Sequence, residues 1–431
     1  MITSFLNDES DLEDRLSKFC SASQCDQAVK DTVSEILNEI RLGGDTALLE
    51  KTFKYDHAKL SQNEIKVTKI ELEVAKSQLT VLERESILEA IENVSLFHAR
   101  SIPENWSTFN NHGAKVGEKF YPINRVGIYV PGGNVPLIST VIMTVTIAKV
   151  AKVKEIVVVT PPDSEGKIAP QMLAALELLG VDEIYKAGGA QGIGALAYGT
   201  ETIPSVDKIY GPGNAFVNEA KRQVFGLVGI DLLPGPSEVM IIADSSSNPS
   251  FVAAALLSQA EHGSGKEKVF LLFSEKSHFD KIVSEIKVQL HELSHREAVT
   301  SVLERGFMSI YLPSLKRIAE VANYIAPEHL ELQVADEHIA FLTEHITTAG
   351  AFLLGHETAT TLGDFIAGPS HVLPTGRSSR FSSGLRLQDF LRRSSFIQYD
   401  KKSAVMAKKA ITVFSEMEQL DGHGKSFSIR L

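Results

Sequence analysis

Apolar residues recur at helical spacing early in the chain and in short unbroken runs further on, and that change of period organises the sequence. Val29, Val33, Ile36, Leu37 and Ile40 share one helical face, which predicts an amphipathic helix within 26–52 whose pattern Gly43-Gly44 ends. A second helical stretch is predicted around 71–99. Between Arg125 and Ser274 the pattern becomes strand-like at 126–130, 155–160, 183–187, 208–210, 239–243 and 268–273. Helix-length segments at 138–151, 167–179 and 214–224 lie between several of these runs. Continuous apolar strands alternating with helices predict an α/β fold whose parallel sheet is covered on both faces. Ligand loops then gather at the carboxyl ends of the strands.

The alternation continues over 275–355, and 367–385, rich in Gly, Ser, Pro and Arg, reads as a functional loop. The tail is predicted as one helix ending near Asp421-Gly422, followed by a strand-like end over 425–431. No internal repeat is visible. At 431 residues the chain is too long for one ordinary core and should form two or more domains. A formal net charge of -11 argues against a nucleic-acid partner, which demands a basic face. The first ten residues lack a signal-peptide pattern. The most apolar segment, 135–150, is interrupted by Ser139, Thr140 and Thr144 and suits a buried helix better than a membrane span. Two cysteines, Cys20 and Cys25, are too few for a disulfide framework and are expected as reduced thiols without chemistry, in the cytoplasm.

Three glycine-rich loops fall after predicted strands: Pro131-Gly132-Gly133, the run from Gly188 to Gly194, and Gly211-Pro212-Gly213-Asn214. Gly192-Ile-Gly194-Ala-Leu-Ala197 fits the G-x-G-x-x-G/A form that brings backbone N–H groups to a pyrophosphate, and Asp207 lies near the distance of a ribose contact. Such glycines also serve plain tight turns, and the pattern alone leaves both readings open. Gln259-Ala-Glu-His262 sets an amide and an imidazole one helical turn apart. Asp364 and His423 could complete an N/O donor set of the kind zinc accepts. Spacing alone does not bring these four together, and most Q-x-x-H pairs are solvated. Ala326-Pro-Glu328-His329-Leu330 places a carboxylate beside an imidazole that titrates where a general base is wanted. His57, His98, His112, His278, His291 and His295 lie in charged surroundings and are expected at the surface.

Taken together, these segments resemble the histidinol dehydrogenase family from about residue 26 to the end. The resemblance is carried by Arg125-Val-Gly-Ile-Tyr-Val-Pro-Gly-Gly133, Gly188-Gly-Ala-Gln191, Lys208-Ile-Tyr-Gly-Pro-Gly-Asn-Ala-Phe-Val217 and Ile230-Asp-Leu-Leu-Pro-Gly-Pro-Ser-Glu-Val239. It continues through Leu257-Ser-Gln-Ala-Glu-His262, Ala326-Pro-Glu-His-Leu-Glu331 and Ser370-His-Val-Leu-Pro-Thr375. It implies two Rossmann-like domains with mostly parallel sheets and small N- and C-terminal helical extensions. The implied boundaries are an arm over 1–25, a discontinuous catalytic and zinc domain over 26–128 and 237–381, an NAD-binding domain over 129–236, and an extension over 382–431. The implied reaction is oxidation of an amino alcohol to the acid with two NAD, closing histidine biosynthesis. Gln259, His262, Asp364 and His423 are then the zinc ligands, the last supplied by the partner in a homodimer. Glu328 and His329 become the acid/base pair. Ser237, His371 and Glu418 join His329 and the zinc ligands around the substrate, and Tyr129, Gln191 and Asn214 contact NAD. With cofactor contacts spread over three loops, the 192–197 match is left as a turn and Asp207 without a ribose role.

Overall fold

The computed structural model describes residues 5–20, 26–132, 136–261 and 265–431. Leu6–Asn7 (β1) opens the described chain, and Trp106–Phe109 (β2) with Lys115–Pro122 (β3) follow a set of N-terminal helices. Arg125–Tyr129 (β4), Glu155–Thr160 (β5), Glu183–Lys186 (β6), Lys208–Tyr210 (β7) and Gly229–Ile230 (β8) form a parallel sheet in the order β6-β5-β4-β7-β8. Glu238–Ala243 (β9), Lys268–Phe273 (β10), Phe307–Tyr311 (β11), His329–Gln333 (β12) and Ala351–Leu354 (β13) form a second, in the order β1-β11-β10-β9-β12-β13. Leu391–Gln398 (β14) pairs antiparallel with β3, which pairs with β2, giving a small third sheet that the apolar pattern did not reveal. Its strands are mostly exposed, so they carry no buried run to detect.

Both parallel sheets wind alike. Apart from the edge strand β1, each starts at a central strand, adds two strands on one side, then crosses to the other. The expected mixed α/β fold with helical ends is what forms, and the winding recurs although no sequence repeat announces it. Helices cover both faces of each sheet. On the first, β4 sends Val126 and Ile128 to one core layer and Tyr129 to the other. On the second, β9 sends Val239 and Ile241 one way and Met240 and Ile242 the other.

Packing redraws the expected boundary. The helix Gln27–Asp56 supplies Val33, Ile36, Leu37 and Ile40 to the core around Tyr129, Val157 and Val159. Helices Lys69–Gln78 and Val81–Ala99 bury Leu72, Ile87 and Val94 with Val126 and Ile128. The helices of 27–99 therefore pack on the sheet of β4–β8, whereas 106–122 pair with β14 in the third sheet. The Gln27–Asp56 helix also runs through Gly43-Gly44. Gly44 takes φ 51 and ψ -134, the Asp45 N–H donates to Glu201 Oε2 at 2.7 Å, and the helix resumes. The predicted strand-like end is instead the helix Asp421–Ser428.

Gly192–Ala197 lies inside the helix Gly189–Tyr198 and is buried, so the G-x-G-x-x-A match is neither a phosphate loop nor a turn. A Cβ at Gly194 would meet Leu37 and Ile40 at 3.1 and 3.3 Å, which makes that glycine a helix-packing residue. Asp207 sits at the amino end of β7, where its carboxylate accepts the Arg125 N–H at 3.1 Å, at the edge opposite any carboxyl-end ligand. Among the described residues no helix is long and apolar enough to cross a membrane. Cys20 is buried, its thiol pushed up to about 11 chiefly by that burial, and is chemically quiet; Cys25 lies outside the described residues.

His98 and His278 are not surface residues: they are 1% and 5% exposed. His278 Nε2 meets Ser247 Oγ at 2.7 Å, whereas neither ring nitrogen of His98 has a protein partner. Burial pushes His98 down to about 4. Between about pH 6.5 and 4 the unfolded chain takes up a proton that the folded chain refuses, so His98 costs stability as pH falls through that window. His98→Leu should shrink the difference in unfolding free energy between pH 7 and pH 5 by about 2 kcal/mol, measured by urea denaturation. An unchanged difference would contradict a neutral buried imidazole.

Candidate active site

The amino ends of β9 and β12 hold Glu328 and His329, the pair expected to act as acid and base. The helix Leu315–Ile325 stops at Ala326, whose left-handed backbone (φ 51, ψ 62) precedes a proline and is strained for a residue with a Cβ. Pro327 then directs the chain into Glu328 and β12. Gly350 lets the neighbouring strand close on this point: a Cβ there would lie 2.6 Å from the Glu328 carbonyl oxygen, which accepts the Ala351 N–H at 2.9 Å. The pleat sends Leu330 and Leu332 into the core with helices Leu12–Cys20 and Leu315–Ile325. His329, Glu331 and Gln333 take the opposite face, an acidic and polar row on an otherwise apolar side of the sheet.

Glu328 and His329 are 5% and 7% exposed, which is unusual for charge-bearing groups and demands compensation. Glu328 Oε2 accepts the Glu238 N–H at 2.7 Å and lies 3.8 Å from His329 Nδ1. His329 Nε2 stands 3.4 Å from Asp364 Oδ1, and its Nδ1 is 3.4 Å from the Glu238 carbonyl. Burial lifts the Glu328 carboxyl to about 8 against the pull of the neighbouring imidazole. Burial alone would lower His329, but the Glu328 and Asp364 carboxylates more than offset it and hold the ring at about 8. Glu238, equally enclosed, is pushed up to about 7 by burial and takes the Gly376 N–H on Oε2 at 3.1 Å. Two groups that change protonation near neutral pH, side by side, can pass protons in either direction.

Asp364 reaches this pair from the short helix Thr360–Phe365. Gln259 comes from the last turn of Pro249–Ala260, which packs on the same face of the sheet; it is 3% exposed and its Nε2 has no protein partner. His262 lies outside the described residues. The loop after Phe365 runs between the two sheets: Ser370 Oγ donates to the Met143 carbonyl at 3.2 Å, and Gly235 N–H donates to Thr375 Oγ1. It carries His371, whose Nε2 is buried without a protein partner and whose pKa burial lowers, with Asp364 and His329 among the charges around it. Ser237 is half-buried just before β9, its carbonyl accepting the Lys268 N–H at 3.1 Å. Glu418 and His423 are exposed on the two C-terminal helices, whose main packing is with each other. Among the described residues no group of three or more His, Cys, Asp or Glu is placed to hold a metal.

The residues expected to contact NAD gather at the carboxyl edge of the first sheet. Tyr129 ends β4, and its hydroxyl accepts the Gly189 N–H at 3.3 Å. Gln191 follows β6, buried, donating through Nε2 to Asp56 Oδ2 at 3.2 Å. Asn214 follows β7 and caps the helix Ala215–Val224, Oδ1 accepting from Phe216 and Val217 N–H; it is exposed. β4 and β7 flank the point where the strand order reverses, the crevice in which doubly wound sheets bind ligands. Gly211 is clamped there. Its N–H donates to Asp231 Oδ2 at 2.7 Å and its carbonyl accepts from Lys221 Nζ at 2.8 Å, the two side chains forming a buried ion pair. Asp56, Glu238 and this pair were missed in the sequence: none stands in a pattern of its own, and only the fold brings each to its edge.

The chain matches the model of the histidinol dehydrogenase family over residues 20–431. It is 42% identical over 407 residues to the histidinol dehydrogenase of Aromatoleum aromaticum, with 94% of this chain and 92% of that protein covered. It is 41% identical over 411 residues to that of Listeria innocua, with 95% and 94% covered. The crystal structure of histidinol dehydrogenase from Elizabethkingia anophelis superposes with a TM-score of 0.93 at 34% identity, over 99% of this chain and 97% of that one.

Removing one member of the buried clamp leaves the other charge without its partner. Lys221→Met should lower the unfolding free energy by about 3–5 kcal/mol, read from chemical denaturation. A loss below about 1 kcal/mol would mean that Asp231 finds another cation or water.

Proposed function

This chain belongs to the histidinol dehydrogenase family, and we propose that it oxidises L-histidinol through L-histidinal to L-histidine with two NAD, using zinc, in a homodimer with shared sites. The observation that carries the reading is the buried Glu328–His329 couple, placed against Asp364, with the proton affinity of both groups raised. Zinc suits the residues present. Gln259 and Asp364 offer oxygen donors, and the buried Gln259 amide lacks a protein partner at one end, where a half-turn about its last torsion presents the oxygen. Gln259 and Asp364, with His262 and the partner's His423, would hold the ion. Zinc would supply an anchor for the imidazole and amine of the amino alcohol, and NAD would supply the hydride acceptor.

The chain's own groups move the protons. His329 accepts the hydroxyl proton as the first hydride leaves the alcohol carbon, giving the aldehyde. Glu328 then takes a proton from water as the water oxygen bonds to the carbonyl carbon, and the hydrate loses the second hydride. Its acceptor state is the carboxylate, which the Glu238 N–H at 2.7 Å stabilises against burial. Ser237, His371 and Glu418 complete the substrate's surroundings, Glu418 opposite the substrate ammonium. Tyr129, Gln191 and Asn214 hold NAD at the carboxyl edge of the first sheet. The homodimer is supported by the exposed apolar residues Val405, Met406, Val413, Phe414 and Met417 on the helix that leads to Glu418 and His423.

Activity measured as NADH formation across histidinol and a panel of other amino and simple alcohols should single out histidinol; preference for another alcohol would move the assignment to a relative with a different substrate. His329→Asn should slow alcohol oxidation by about 10²–10⁴-fold, and Glu328→Gln should slow histidinal oxidation by a similar factor with a smaller effect on the first step. Full histidinal activity in Glu328→Gln would contradict its role toward water. Mixing His262→Asn with His423→Asn protein, each inactive alone, should restore part of the activity through hybrid dimers. No recovery after verified subunit exchange would place both ligands in one chain.

A further inference from the structure

The row of polar side chains on β12 extends past the acid/base pair, and its next member is a carboxylate without a role so far. Glu331 is 1% exposed. Its Oε2 accepts from Thr360 Oγ1 at 3.0 Å and from the Thr360 N–H at 3.3 Å, and its Oε1 accepts from Gln333 Nε2 at 2.5 Å. Thr360 is the first residue of the six-residue helix that carries Asp364. The sequence of that helix does little to specify it. Its N-cap is Ala359, which offers no side-chain acceptor, and Gly363 sits in its interior. A helix this short does not form alone. Glu331 supplies from the neighbouring strand the cap that Ala359 cannot.

The spacing of the two elements turns this cap into a ruler. His329 and Glu331 are two residues apart on one strand face, about 6.6 Å. Thr360 and Asp364 are four residues apart on one helix face, about 6 Å. When Glu331 holds Thr360, the next turn brings Asp364 opposite His329, and the observed separation there is 3.4 Å. We propose that Glu331 is a positioning residue for the metal site: by capping the helix at Thr360 it sets where Asp364 stands against His329. This rests on the zinc reading given above. Glu331 itself contacts neither Asp364 nor the acid/base pair by hydrogen bond; it acts through the helix. Gln333 adds a second feature, since its Oε1 is buried without a partner. Rotating that amide by half a turn would let it accept from an amide at position 331, so Glu331→Gln keeps the geometry while losing the charge.

The test compares full-length wild type, Glu331→Ala, Thr360→Ala and Glu331→Gln for zinc affinity, by competition with a chromogenic chelator, and for hydrogen exchange over 358–367 in metal-stripped protein. Glu331→Ala should weaken zinc binding by about 10–100-fold and Thr360→Ala by a smaller factor near tenfold, with faster exchange in both. Glu331→Gln should stay within about threefold of wild type. Equal zinc affinity in wild type and Thr360→Ala would overturn the proposal, even if Glu331→Ala fails to fold, as would loss of zinc in Glu331→Gln matching that in Glu331→Ala. Wild-type protein that takes up no zinc would instead defeat the zinc reading; unchanged exchange in Thr360→Ala would then sink the positioning role on its own.

Discussion

Burying a carboxylate against an imidazole, out of reach of bulk water, is the constraint around which the second half of this chain is arranged. Each charge so enclosed must find a partner or change its protonation state. Glu328 does both: it takes the Glu238 N–H and lies beside His329, and its proton affinity still rises to about 8. The supports are local and specific. Ala326 accepts a left-handed turn, Gly350 lets β13 approach, and the loop after Phe365 is tied to the helix Ile138–Val150 of the other sheet through Ser370 Oγ and the Met143 carbonyl. Strain and desolvation concentrate at this pair, a pattern common at functional sites.

The two sheets wind in the same order yet carry their candidate site residues at opposite edges. In the first, the carboxyl ends of β4 and β7 leave a crevice at the reversal of strand order, and the residues matched to NAD contacts stand there. In the second, the equivalent crevice beyond β9 and β12 is filled by the chain itself. Asp244 follows β9 and accepts the Ala335 N–H at 3.0 Å and a contact from His338 Nδ1 at 2.8 Å, occupying with its own carboxylate the helix start where an anion would otherwise sit. The buried Glu328–His329 pair lies instead at the amino ends of β9 and β12. Returning helices deliver Gln259 and Asp364 to that edge because each runs antiparallel to the strand before it.

The sequence was readable where its periods were simple. Continuous apolar runs at 155–160, 208–210 and 268–273 became β5, β7 and β10 with the same bounds, because strands buried on both faces have no polar positions to blur them. The Glu328-His329 motif was readable because proline, carboxylate and imidazole adjoin. What failed involved contacts distant in sequence. Gly44 looked like a helix end because nothing nearby shows that Glu201 will hold the kink. His98 looked exposed among charges, though its face of the Val81–Ala99 helix packs on the first sheet. Asp207 lay at a plausible ribose spacing but at the wrong end of its strand, which only the register reveals. Gln259 and Asp364 share no local pattern, and the family resemblance, not spacing, paired them.

If one buried couple serves both oxidations, the aldehyde stays bound between them. Counting product at exhaustion of a limiting amount of L-histidinol, with excess NAD and a carbonyl trap such as semicarbazide present, addresses it directly. Two NADH should form for each histidinol consumed, with almost no trapped aldehyde. One NADH for each histidinol, with the aldehyde recovered in the trap, would contradict it.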